Sequence, residues 1–215
     1  MRSRGEAAVN FVAHALVALH RSPSALHGLG AMLPDLAGMA SLRVPRVVPH
    51  EAIARGVAHH HEVDAWFHEH GAFVALTGRA RASFDGAGLG RGGARAAAHV
   101  GVELLLDAVA WERLDARAAY LDALDASAAL DAARDLGLDA VSAARFSWMR
   151  HRLAAEELPA RYRDVRFVAE RLVGMTRGRP RIAIAPAAVA PLAEALAGLV
   201  EHVRDAAPVL LAGPP

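Results

Sequence analysis

The segment Gly56-Val57-Ala58-His59-His60-His61-Glu62-Val63-Asp64 lies within a helical pattern whose apolar stripe runs Ile53, Val57, His60, Asp64, Phe67. A histidine and an aspartate therefore occupy inward positions, and their i, i+4 spacing projects both from one face of the helix. Burying a carboxylate is costly unless something pairs with it. A divalent metal ion is one such partner, and an imidazole with a carboxylate is a good ligand set for it. A neutral core histidine hydrogen-bonded to the aspartate is the other reading of the same pair.

Three more polar residues lean inward on other segments. His14 shares a face with Phe11 and Ala18, Asp35 follows Pro34, and Asp107 interrupts the stripe Val100, Leu104, Asp107, Trp111. Singly, a core histidine and a helix cap explain His14 and Asp35. Together, His14, Asp35, His60, Asp64 and Asp107 resemble the ligand set of an all-helical metal-dependent phosphohydrolase, in which such ligands converge from separate helices onto a bundle interior. Mixed imidazole and oxygen ligands suit Mn²⁺, Fe²⁺ or Mg²⁺, and Zn²⁺ as well.

The elements that must position these residues read as helices throughout. Helical patterns cover Asn10 to Leu19, Leu26 to Met39 with a break expected near Pro34, and Glu51 to Leu76 with Gly71 ending or bending the helix. They resume near Ala94, run to Leu114 or beyond, and continue with a turn at Gly137. Further helices fit Ser142 to Glu157, Pro159 to Met175 and Val189 to Asp205. No segment alternates with period two and no internal repeat is visible. The expectation is a single all-α domain over 1–215, a compact bundle of about seven to nine helices without a sheet. A flexible Gly-rich loop is expected over 85–93, where no GKS or GKT follows to make a phosphate-cradling loop, and a frayed tail over 207–215.

Composition narrows the function classes. The 215 residues are rich in alanine and poor in aromatics, with a formal net charge of +1. Near-zero net charge argues against general nucleic-acid binding. The absence of cysteine excludes disulfides, thiolate metal sites and a cysteine nucleophile, and suits a reducing cytoplasm. There is no lysine either, so a lysine Schiff base and a P-loop lysine are excluded. The charge is uneven: Asp115 to Asp139 is rich in Asp and Arg145 to Arg181 in Arg, either an attraction for an acidic partner or a solvated helical surface. Arg2 and Arg4 before the apolar run Ala7 to Leu19 loosely mimic a leader, but Asn10 and His14 interrupt it. Ile182 to Val200 is too broken by Pro186, Pro191 and Glu194 to span a bilayer. A cytoplasmic protein with no membrane span is expected.

Several short motifs in order give the chain a familiar outline. Asn10-Phe11-Val12-Ala13-His14 matches an NFLAH-like opening, and Gly30-Ala31-Met32-Leu33-Pro34-Asp35 looks like GNLLAD. Gly56 to Asp64 looks like G-x-x-x-H-x-x-[IV]-D, and Glu103-Leu104-Leu105-Leu106-Asp107 like D-x-x-x-D-H. Arg161-Tyr162-Arg163-Asp164 and Leu172 to Arg181 look like a YRD and a GM-x-x-R-R-P-R run. In these motifs the chain resembles the acyl-carrier-protein phosphodiesterase family, a branch of the HD-domain-like hydrolases, over roughly Asn10 to Arg181.

The resemblance implies hydrolysis of the phosphodiester that joins 4′-phosphopantetheine to a serine of holo-acyl carrier protein, with Mn²⁺ as the usual cofactor and a place in lipid biosynthesis. It implies a metal held by His14, His60, Asp64 and Asp107 in some combination with Asp35, and a leaving serine oxygen protonated by His59 or His61. Because acyl carrier proteins are acidic, Arg161, Arg163, Arg177, Arg179 and Arg181 become candidates for docking the carrier or holding phosphate. The chain departs from the pattern at Ala31, where the family has Asn, at His61 and Glu62, at Glu103, and at Ala108, where the family has His. His59, His61 or His99 could substitute for that imidazole, since His99 lies one helical turn before Glu103. The alternatives are a non-catalytic member that binds an acidic carrier, or a metal phosphohydrolase with another phosphoester substrate.

Overall fold

A computed structural model describes residues 10–215; Arg2, Arg4 and the start of the leader-like run lie outside the described residues. Twelve α-helices and two short 3-10 turns make up the described chain, which contains no strand. None of its helices is long and apolar enough to cross a membrane. The all-α expectation is met, with more helices than the periodicity suggested.

Three of the extra boundaries have local causes. The stretch read as Glu51 to Leu76 is two helices, α3 (Glu51–Glu69) and α4 (Gly71–Gly86), parted at His70. His70 is extended, and its Nδ1 accepts from the Ala72 N–H at 3.2 Å, so it opens α4 as it closes α3. The stretch from Pro159 to Met175 divides into α9 (Leu158–Arg161) and α10 (Val165–Thr176), because the Asp164 carboxylate caps α10 through the Arg166 N–H at 2.9 Å. Beyond Val189, α11 (Val189–Ala197) and α12 (Val200–Ala212) part at Gly198 and Leu199.

Elsewhere helix continues where breaks were expected. Pro34 lies inside an unbroken α2 (Ala25–Met39). Of the Gly-rich stretch 85–93, only residues 87–90 lie between helices, because α5 (Arg91–Trp111) already begins at Arg91. Gly92 sits so close to the segment after α10 that a β-carbon there would lie 2.0 Å from the Arg181 carbonyl oxygen. Residues 207–212, expected to fray, complete α12, because Ala207, Leu210 and Leu211 are buried.

The fold positions the polar residues through two central helices. Helix α1 (Phe11–Arg21) is buried from Phe11 to Ala18, and α5 packs against α1, α4, α10 and α12. Hydrophobic side chains of α5 such as Val102, Leu104 and Leu106 are buried alongside Glu103 and Asp107, so two carboxylates are carried into the core by the burial of their neighbours. Helices α2 and α3 cross at Gly30 and Gly56. A β-carbon on Gly30 would lie 2.2 Å from the Ile53 carbonyl oxygen, and one on Gly56 would lie 2.2 Å from the His27 carbonyl oxygen. Only glycine permits this backbone approach.

Candidate metal centre

The α2–α3 crossing fixes the first functional side chain. One turn beyond Gly56, the His60 Nδ1 lies 2.8 Å from the Ala31 carbonyl oxygen. A carbonyl only accepts, so Nδ1 carries the proton and Nε2 keeps its lone pair. Burial, only partly opposed by this hydrogen bond, lowers the His60 pKa to about 4, so the ring is neutral near pH 7.

His14 faces His60 from α1, with ring centroids 4.2 Å apart. It is buried, neither of its ring nitrogens has a hydrogen-bond partner, and its Nε2 lies 3.7 Å from Asp35 Oδ2. Burial, reinforced by the surrounding imidazoles, holds its pKa well below the usual histidine range. Asp64 joins the two histidines from the next turn of α3. Ligand atoms of His14, His60 and Asp64 all lie within 4.8 Å of one another. Two neutral imidazoles and a carboxylate drawn so close, with lone pairs unspent, can hold a metal ion.

The charges around the trio point the same way. Burial raises the Asp35 pKa well above the carboxylate range, and Glu103, Asp64 and Asp107 push it further. Burial also raises Asp64, with a smaller upward push from Glu103, while His68 lowers it. Carboxylates that destabilise one another in a core are stabilised by a nearby cation.

Comparison of the chain with family models, curated proteins and solved structures finds no match.

Asp107 is spent differently from the trio. Its Oδ1 accepts from the Ala13 N–H at 2.9 Å and its Oδ2 from the Val12 N–H at 3.2 Å. Asn10 makes no side-chain cap at the start of α1, so the carboxylate of α5 satisfies those amides from across the core. Burial still raises its pKa well above the usual value, against the pull of these amides.

The neighbouring histidines divide. The His59 Nδ1 lies 3.1 Å from His27 Nε2, so this ring is turned onto α2. His61 is exposed and stands edge-on to His60 at 5.3 Å between centroids. Ala108 lines a small cleft shared with Glu112, Tyr162 and Arg163, whose walls hold no member of the trio.

The candidate arginines lie on the surface formed by α9, α10 and the turn after it. Arg161 covers the Phe167 ring at 3.8 Å, and Arg163 lies 3.8 Å from Glu112. Arg177, Arg179 and Arg181 are exposed, and Arg179 lines a cavity of about 430 Å³ with Arg171 and Glu170.

A second group of possible ligands lies beside the trio. His68, one turn beyond Asp64 on α3, meets His99 and Glu103 of α5, and their ligand atoms also fall within 4.8 Å of one another. The His68 Nδ1 lies 3.7 Å from Asp64 Oδ2, so the two groups are neighbours. The i, i+4, i+8 series His60, Asp64, His68 was the signal that could have found it.

Proposed function

We propose that the protein is a metal-dependent phosphohydrolase, and that its substrate is the phosphodiester linking 4′-phosphopantetheine to serine in holo-acyl carrier protein. The observation that carries the metal-dependent part is the convergence of His14, His60 and Asp64, with the Nε2 lone pair of His60 left for a ligand bond by the hydrogen bond at Nδ1. The substrate part rests on the ordered motifs from Asn10 to Arg181.

The residues fit a divalent ion such as Mn²⁺, with Fe²⁺, Mg²⁺ or Zn²⁺ as alternatives, because the donors are neutral imidazoles and a half-buried carboxylate rather than thiolates. When bound, such an ion supplies Lewis acidity at a phosphoryl oxygen and a nucleophile from water at neutral pH. His60 is held to one tautomer by the Ala31 carbonyl. Asp35, whose Oδ2 lies 3.7 Å from His14 Nε2 with no hydrogen bond between them, would supply a further oxygen beside the ion. His61 is a better proton donor for the leaving serine oxygen than His59, because its ring is exposed while that of His59 is buried on His27.

Mass spectrometry of a holo-acyl carrier protein incubated with the protein and Mn²⁺ tests the reading. Loss of the prosthetic group is expected, and His60→Ala should abolish it. A carrier that stays intact across Mn²⁺, Fe²⁺, Mg²⁺ and Zn²⁺, with metal bound, would overturn the substrate assignment. A protein that takes up none of these ions would overturn the metal-dependent reading and leave a carrier-binding module.

A further inference from the structure

Glu103 is fully buried, and its Oε2 has no hydrogen-bond partner. Two imidazoles converge on its other oxygen. His99 Nε2 lies 3.1 Å from Oε1, and His68 Nε2 lies 3.6 Å from the same oxygen. The His68 and His99 rings are themselves only 4.7 Å apart. One protonated imidazole would neutralise Glu103, but both rings face Oε1, so Oε2 would still lack a partner. One divalent cation among the three side chains serves instead, since both rings can then be neutral donors and the carboxylate has its counter-charge.

A second observation says what such a cation would meet. His68 and His99 line a cleft of about 610 Å³ between α4 and α5, and Arg81, Arg95 and Thr77 line it with them. Both guanidiniums are exposed, and among the described residues no carboxylate lines the cleft. A solvent-open cleft lined by two imidazoles and two guanidiniums attracts a phosphate-bearing anion.

We propose that His68, His99 and Glu103 form a second divalent-cation position, and that the cleft beside it receives a phosphoryl group held between that cation and Arg81 and Arg95. The phosphoryl assignment rests on the phosphohydrolase reading; the cation position does not, because its three ligands are separate from His14, His60 and Asp64. The nearness of His68 to Asp64 puts the two positions side by side, as a two-metal phosphoester site requires.

Cobalt(II) titration of the metal-free protein, followed by visible absorption and by metal analysis, tests the cation position. Wild type should bind two equivalents. His99→Ala and Glu103→Gln should each bind one, and His60→Gln should also bind one, retaining the other position. Circular dichroism checks the fold, and His99→Ala, at a part-exposed residue, carries the test if the buried Glu103→Gln variant is unstable. One equivalent in wild type, lost in His60→Gln but kept in His99→Ala, overturns this proposal and leaves the first position standing. One equivalent lost in His99→Ala but kept in His60→Gln supports it and removes the first. One equivalent lost in both variants means a single shared ion and overturns it. Inorganic phosphate should perturb the cobalt spectrum of wild type, and Arg81→Ala with Arg95→Ala should raise its half-saturating concentration about tenfold or more, the loss of roughly 1.4 kcal/mol. An unchanged phosphate response overturns the arginine-walled subsite.

Discussion

The His60 Nδ1–H donates to the Ala31 carbonyl oxygen across 2.8 Å, and the two residues meet because Gly30 and Gly56 let α2 and α3 touch at the backbone. The tautomer of one imidazole is thus set by a helix crossing. Ala31 supplies only a main-chain oxygen, so the alanine side chain there leaves this contact intact.

Gly30→Ala tests that dependence. Its β-carbon would overlap the Ile53 carbonyl oxygen, and backbone cannot step aside as a flexible side chain can. Overpacking of this kind costs about 1–3 kcal/mol. The helices should part, the His60 contact should lengthen, and metal affinity should fall together with stability. Chemical denaturation and metal titration of the same variant check this. A variant as stable as wild type would show that the crossing is looser than the contact requires.

The His60 imidazole should titrate in the metal-free protein near pH 4 rather than near 6.5. The sign for stability follows. A lowered folded pKa means that the unfolded chain binds more protons between about 4 and 6.5, so the His60 contribution is present above 6.5 and lost as pH falls through that window. The stability difference between wild type and His60→Gln should therefore narrow by on the order of 3 kcal/mol across it. Asp35 and Asp107, whose pKa values are raised, act in the opposite sense in both proteins and largely cancel in the difference. A His60 ring resonance that titrates near 6.5 in NMR would contradict the account.

Asp107→Asn separates a structural role from a ligand role. The carboxylate satisfies two amides at the start of α1, and an asparagine keeps one acceptor oxygen but not the charge. A loss of about 0.5–2 kcal/mol is expected, as for a helix cap. Metal uptake should be retained, because both oxygens of Asp107 already face main-chain donors. Loss of metal with the fold intact would instead make Asp107 a ligand.

These residues also show what a sequence carries. The helical class and the inward placement of His14, His60 and Asp107 follow from periodicity, because a polar residue on an apolar stripe is visible at helical spacing. The partner of Asp107 is not visible, since the need of a helix N-terminus is met from a helix distant in sequence. His68 continues the His60–Asp64 series by one turn, but only the packing of α5 against that edge of α3 gives it Glu103 as a neighbour. Helix boundaries at His70 and Asp164 depended on side-chain caps that propensity does not rank.

The exposed arginines of α9, α10 and the following turn give the last prediction. Arg179 borders a cavity with Arg171, and no member of the trio lines that cavity, so its charge would act on encounter with an acidic carrier rather than on the ion. Arg179→Ala should leave metal content unchanged, raise KM for the carrier severalfold and change kcat little, the pattern of lost uniform binding. Added salt should reproduce this effect in wild type, because exposed charges are screened beyond about 10 Å at 0.1 M ionic strength. The variant should also be less sensitive to salt than wild type, since part of the steering charge is already gone. Equal salt dependence in both proteins, with KM unmoved by the substitution, would mean that the carrier docks elsewhere. If kcat fell while KM held, Arg179 would act at the transition state instead, and the surface around Arg171 would have to be read as part of the reaction site.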